Sequence, residues 1–116
     1  MGTVSLEQRQ QLKQKYGELY ETFIRLLAEY DPMGLLRMGA PHDEYDLEVG
    51  MILLRLHGAE TPHVLGQIIY EEFDSCFGKA FTSLYEQSSP QTKDWFAEIG
   101  ESVWNAWKHW KEKGQK

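Results

Sequence analysis

Hydrophobic and polar positions along this chain recur with a period of three to four residues, the pattern of helices that each bury one face. Ser5 and Gln8 have the spacing of a capping box, so the first helix begins at Ser5. Its apolar positions are Leu12, Tyr16, Leu19, Phe23, Leu26, Leu27 and Tyr30. Asp31 ends it, because a residue before proline is pushed out of the helical region. We therefore predict one long first helix, followed by a short turn at Met33 to Leu36.

Capping residues and the same periodicity predict three further helices. Asp46 is the predicted N-cap of the second, which is apolar nearly all round, runs to about His57 and ends at Gly58. Thr61 and Pro62 begin the third. Its periodicity continues past Gly78, where we expect a kink or a brief break. The last helix follows Ser88-Ser89-Pro90, and its buried face holds Phe96, Ile99, Val103, Trp107 and Trp110.

These segments predict an all-α fold, a small bundle of four main helices with a short turn and loop between the first and the second. No segment alternates with the period of two that a strand requires. We expect residues 1–116 to form a single helical domain. Gly17, Gly50 and Gly66 fall inside predicted helices, where glycine is unfavourable, and close helix–helix approach would explain them.

Composition narrows the functional classes. Hydrophobic residues make up 41% of the chain and charged residues 26%, which is ordinary for a globular domain. The formal net charge of −6 argues against a nucleic-acid partner, because attraction to phosphates supplies most non-specific affinity. It favours solubility or a partner protein with a basic surface. The single cysteine, Cys76, lies on an apolar stripe and is interpreted as a small buried hydrophobe.

Chemistry-bearing motifs are missing from the sequence. It has no Ser nucleophile elbow, no phosphate-binding glycine loop and no histidine pair at metal-ligand spacing. We therefore predict no catalytic residue, no bound metal and no cofactor, which leans against an enzyme. No apolar run reaches the roughly 18 residues that a membrane span needs, and no secretory signal is present. A cytoplasmic location is the resulting expectation.

An acidic loop is the first candidate site, with four carboxylates and an imidazole within seven positions. We define the acidic loop by His42, Asp43, Glu44, Tyr45, Asp46 and Glu48. Oxygen ligands in this number suit magnesium or calcium, although the spacing is not that of an EF-hand. The favoured alternative is structural, because acids at a helix N-terminus satisfy free amides and complement the helix dipole.

This loop also carries a resemblance. The strings Asp31-Pro32-Met33-Gly34-Leu35 and Gly39-Ala40-Pro41-His42-Asp43-Glu44-Tyr45-Asp46-Leu47-Glu48 resemble a pattern of the YugE-like family of small helical bacterial proteins. The resemblance covers about Asp31 to Gly78 and not the Trp-rich final helix. It implies a helical fold and no particular activity, because the function of that family is unassigned. It makes the acidic loop the leading place to look for a site.

The C-terminal helix is the second candidate, a surface of Trp104, Lys108 and Lys111. From Asn105 to the end, four Lys stand against one Glu, a local charge of +3. Interleaved Trp and Lys are typical of single-stranded nucleic-acid binding or of a helix at a membrane interface. We favour the alternative that Trp107 and Trp110 belong to the core and that the lysines are solvated.

A non-enzymatic binding protein of bacterial type is the function that these features favour. An immunity protein, an inhibitor or a regulatory partner would each fit that class. The runner-up is a small carboxylate-site enzyme or divalent-metal binder centred on Asp43 to Glu48. The third hypothesis is contact with a membrane surface or nucleic acid through the C-terminal helix, although neither partner is favoured.

Overall fold

Six α-helices and one short 3-10 turn form the part of the chain that the computed structural model describes, residues 5–85 and 90–114. The α-helices are α1 (Leu6–Tyr16), α2 (Glu18–Tyr30), α3 (Asp46–Leu54), α4 (Pro62–Phe77), α5 (Lys79–Leu84) and α6 (Pro90–Glu112). No strand occurs in these residues, so the all-helical prediction is confirmed. The predicted count of four main helices differs, because the first and third predicted helices are each divided at a glycine.

Gly17 divides the first predicted helix into α1 and α2. Its φ is +52°, a conformation that glycine adopts readily and other residues rarely do. A Cβ atom at this position would meet nothing within 4 Å, so the prediction that Gly17 serves close helix packing is wrong. Gly78 behaves in the same way between α4 and α5, with a φ of +55°, and the break expected there is confirmed.

The other predicted boundaries agree with the structure in part. Ser5 forms the capping box with Gln8, and the Thr61 side chain caps α4 with Pro62 in the first turn. α3 ends at Leu54 rather than near His57, and the turn Leu56–Gly58 continues as a 3-10 helix. The predicted Ser88-Ser89 separator lies outside the described residues.

The core lies where α3, α4 and α6 meet α2. On α3, Val49, Ile52 and Leu53 are each at most 1% exposed, which agrees with the prediction that this helix is apolar nearly all round. The predicted inner face of α6 is buried throughout: Phe96, Ile99, Val103, Trp107 and Trp110. α6 is the longest helix and packs against both α4 and α2, so its apolar stripe joins the two sides of the bundle.

Two glycines bring α4 and α6 into backbone contact. A Cβ atom on Gly100 would lie 2.6 Å from the Cα of Gly66, and one on Gly66 would lie 2.7 Å from the Phe96 carbonyl oxygen. Side chains do not fit at either position without a shift of backbone. Close helix approach at Gly66 is therefore confirmed, and Gly100 is its partner.

Candidate functional site

The acidic loop does not gather its six side chains at one place. His42, Asp43 and Glu44 are exposed at the surface. The other three members are turned towards the protein, Tyr45 towards Asp31, Asp46 towards α1 and α2, and Glu48 towards Cys76 on α4. The loop therefore presents only its first three side chains to a partner.

Tyr45 and Asp31 hold the segment between α2 and α3 in place. The fully buried Tyr45 hydroxyl donates to Asp31 Oδ1 at 2.6 Å and accepts from the Met33 amide at 3.1 Å. The Asp31 carboxylate also accepts the amides of Leu36 and Arg37, each at 3.1 Å. Burial alone would raise the pKa of Asp31, but these hydrogen bonds and the Arg37 charge hold it below its ordinary value. Asp31 and Tyr45 therefore have a structural role in this segment.

Asp46 is the first residue of α3, and the prediction that its side chain caps this helix is wrong. Tyr45 occupies the N-cap position, and no side-chain capping hydrogen bond forms there. The Asp46 carboxylate instead accepts from Arg9 Nη1 at 2.6 Å and from the Tyr20 hydroxyl at 2.9 Å. Lys13 Nζ lies 3.6 Å away. The carboxylate therefore binds side chains of α1 and α2 instead of the amides at the start of α3. These contacts connect α1 to the start of α3.

Replacing Asp46 with alanine should lower the free energy of unfolding by about 1.5–3 kcal/mol, the range for hydrogen bonds to a charged group. The effect should be largest at α1, whose buried residues are only Leu12 and Tyr16. Hydrogen exchange should therefore accelerate in α1 more than in α3. Asp43→Ala, a control at an exposed position, should change neither quantity. Faster exchange in α3 with α1 unchanged would contradict this account and restore the capping role.

No three His, Cys, Asp or Glu side chains come together in a way that could hold a metal ion anywhere in residues 5–85 and 90–114. Within the acidic loop, the carboxylates of Asp46 and Glu48 point to different partners, as described above. The geometry thus gives the divalent-metal hypothesis no ligand set at this loop.

The C-terminal helix divides its tryptophans and lysines between the core and the solvent. Trp104 is half-buried, and Lys108 and Lys111 are exposed. Trp107 is 5% exposed, and Lys111 Nζ lies 4.0 Å from the centre of its ring, a cation–π contact. Trp110 is also buried. Of the candidate surface, the half-buried Trp104 indole and the two exposed lysines can therefore meet an external partner, and Lys111 is also held against Trp107.

A groove between α4 and α6 is the cavity that the sequence did not reveal. Its volume is about 320 Å³. We call it the α4–α6 groove, and it is lined by His63, Gly66, Gln67, Tyr70, Glu71, Asp74, Thr92, Lys93, Phe96 and Ala97. The volume is at the lower end of the range for ligand pockets, roughly 300–1,000 Å³, and suits one large side chain or a small ligand.

The groove combines an aromatic wall with unequal charges. Tyr70 packs edge-on against Phe96, with ring centres 5.2 Å apart. Burial, and to a smaller extent the negative charge of Asp74, raises the pKa of the Tyr70 hydroxyl. Glu71 pairs with Arg55 at 2.8 Å, and Arg55 shares its single positive charge with Glu72 at the same distance. Asp74 is half-buried and forms no ion pair within the described residues, while Lys93 is exposed on the α6 side. The arrangement suits a group that is partly apolar and carries a positive charge.

Sequence reasoning missed this groove because its lining comes from two distant helices. Within α4, His63, Gln67, Tyr70 and Asp74 recur at steps of three and four, which predicts a second face but not what covers it. The glycine contact between α4 and α6 places the two halves side by side. The available signal for that contact was Gly100, because it lies four residues after Phe96 and three before Val103, on the same helix face.

The chain was compared with known proteins, and no family model, no curated protein and no solved structure matches it. No helix in the described part of the chain is long and apolar enough to cross a membrane. The functional argument therefore depends on the geometry of the candidate surfaces.

Proposed function

We propose that this chain is a non-enzymatic binding protein of bacterial type, and that its α4–α6 groove receives a basic side chain of a partner protein. The observation that carries the proposal is the half-buried, unpaired Asp74 beside the aromatic wall of a cavity of about 320 Å³. An immunity protein, an inhibitor and a regulatory partner would each use such a surface.

The partner is proposed to be basic because of the charge distribution. The chain carries a formal net charge of −6, which raises the association rate with positively charged surfaces and disfavours acidic ones. Inside the groove, Asp74 can pair with a lysine or arginine while Tyr70 and Phe96 contact its aliphatic stem. Arginine and aromatic side chains are the groups that most often dominate such contacts.

The exposed part of the acidic loop is the competing surface, and three charge reversals separate the two. Asp74→Lys alters the groove, Asp43→Lys alters the loop, and Asp94→Lys alters an exposed position of α6 that does not line the groove. All three change the net charge equally, so general electrostatics cannot distinguish them. Each tagged variant is expressed in the native host, and the amount of co-purified protein is measured against wild type by quantitative mass spectrometry.

We expect Asp74→Lys to reduce the recovery of a basic partner by about tenfold or more, because each 1.4 kcal/mol lost is tenfold in affinity. Asp94→Lys should retain the partner. Loss of the partner with Asp43→Lys alone would move the site to the acidic loop. Equal losses with all three variants would show that only net charge matters and would contradict a role for the groove.

A further inference from the structure

The α4–α6 groove has a free hydrogen-bonding group on each of its two walls. Asp74, on α4, is half-buried and forms no ion pair with any described residue. Thr92, on α6, lines the groove and is only 7% exposed, and its hydroxyl forms no hydrogen bond in the part of the chain that the structure describes. A buried hydroxyl without a partner is unfavourable, because it has lost its hydrogen bonds to water. Thr92 is therefore a second polar group that a bound side chain can satisfy.

The register of α4 against α6 brings these two groups to the same end of the groove. Gly66 of α4 meets Gly100 of α6. Four residues later on α4, Tyr70 meets Phe96, which lies four residues earlier on α6, so the two helices run antiparallel. Another step of four residues along each helix reaches the acid on α4 and the threonine on α6. The carboxylate and the hydroxyl therefore lie on opposite walls at the same level of the groove.

An arginine side chain can bind both walls at once. Its planar guanidinium carries five N–H donors in a fixed fork, so two of them can bind the Asp74 carboxylate while another nitrogen donates to the Thr92 hydroxyl. The planar group can also lie against the Tyr70 ring. The donors of lysine all diverge from one nitrogen atom. Its ammonium group is also more strongly hydrated, so lysine loses more hydration on entering a half-buried groove.

We propose that the α4–α6 groove selects arginine over lysine, with the guanidinium bridging Asp74 and the Thr92 hydroxyl. This inference rests on the proposed function, because it names which basic side chain the groove receives. Asp74 supplies the charge that either side chain needs, whereas Thr92 determines the specificity. Lys93 also lines the groove, but it is exposed, so its repulsion of a bound cation is screened by solvent and acts on both side chains.

Titration of the protein with three capped tripeptides tests this selectivity. The peptides have glycine on either side of arginine, lysine or citrulline, and citrulline has the shape of arginine without its charge. Binding is followed by NMR through the backbone amide signals of the residues that line the groove. We expect the arginine peptide to bind about tenfold or more tightly than the lysine peptide, the effect of one additional hydrogen bond to a charged group. The citrulline peptide should leave these signals unchanged.

Three variants separate the threonine hydroxyl from the rest of the groove. Thr92→Val removes the hydroxyl at similar size, and it should weaken binding of the arginine peptide by about tenfold while leaving the lysine peptide unaffected. Thr92→Ser keeps a hydroxyl and should keep the preference for arginine. Thr22→Val is the matched control, because Thr22 is half-buried on α2 and does not line the groove. It should bind all three peptides as wild type does.

The outcomes distinguish this inference from the proposed function. Equal binding of the arginine and lysine peptides to wild type, with both lost in Asp74→Asn, would leave a groove for basic side chains and overturn the selectivity. An unchanged arginine preference in Thr92→Val would overturn the role of Thr92. Failure of the arginine peptide to shift any groove signal would overturn the whole inference, and the recovery of a basic partner with Asp74→Lys would then decide the proposed function separately.

Discussion

Replacing Trp107 with alanine should lower the free energy of unfolding by about 3–5 kcal/mol, the range for removing a large aromatic side chain from a packed core. Trp107 is 5% exposed and packs edge-on against Trp104 and His57, with ring centres 5.5 and 5.9 Å away. Its loss leaves a cavity where α6 meets the turn after α3. Urea unfolding measures the change, and Lys108→Ala, at an exposed position of the same helix, should leave stability unaltered.

Trp107→Phe should be much milder than Trp107→Ala. Trp107 Nε1 is buried and has no hydrogen-bond partner within the described residues, so its removal offsets part of the lost packing. The rival hypothesis makes Trp107 part of a surface for lipid or single-stranded nucleic acid. Under it, Trp107→Ala would leave the melting temperature unchanged and abolish binding to anionic vesicles or oligonucleotides. That pair of results would contradict the core position of Trp107.

Replacing Gly100 with alanine should destabilise the domain by about 1–3 kcal/mol or more, as overpacking of a tight interior does. The new methyl group would meet backbone atoms, the Cα and the amide nitrogen of Gly66, both at 2.6 Å. Backbone cannot rotate out of the way as a side chain does, so α4 and α6 must move apart. Alanine has the better helix propensity, so a net loss of stability must come from the contact between the two helices.

Gly58→Ala is the matched control for this substitution. A Cβ atom on Gly58 would meet nothing within 4 Å, and its φ is not positive, so neither clash nor backbone strain follows. Its melting temperature should equal that of wild type or exceed it slightly. If Gly100→Ala melts with the same midpoint as Gly58→Ala, the close approach of α4 and α6 is wrong, and the groove beside it loses its basis.

The helix faces could be predicted from the sequence because the pattern that encodes them is local. The stripe from Phe96 to Trp110 on α6 illustrates this. Apolar residues at steps of three and four form one face of a helix, and that face packs in the core. The caps at Ser5 and Thr61 were equally local, because each side chain bonds an amide three residues away. The kink or brief break at Gly78 was predictable because this glycine interrupts an apolar periodicity that continues beyond it.

What could not be predicted depends on contacts between distant segments. Gly17 and Gly66 both lie within apolar periodicity, yet one adopts a positive φ and the other meets Gly100. Nothing within a few residues distinguishes the two cases. Asp46 has the local setting of an N-cap, but Arg9, 37 positions earlier, takes its carboxylate. The α4–α6 groove could not be predicted from the sequence for the same reason. Each wall is an ordinary helix face, and the sequence does not show that these two faces pack side by side.

Site-specific photo-crosslinking tests the groove most directly as the partner-binding surface. A photoreactive amino acid is placed at Gln67, an exposed lining residue of the α4–α6 groove, and separately at Gln10, an exposed residue of α1. A third variant carries it at His42 in the acidic loop. After irradiation in the native host, we expect a crosslinked basic protein from position 67 and none from positions 10 and 42. Crosslinks from position 42 or 10 without one from position 67 would contradict the account.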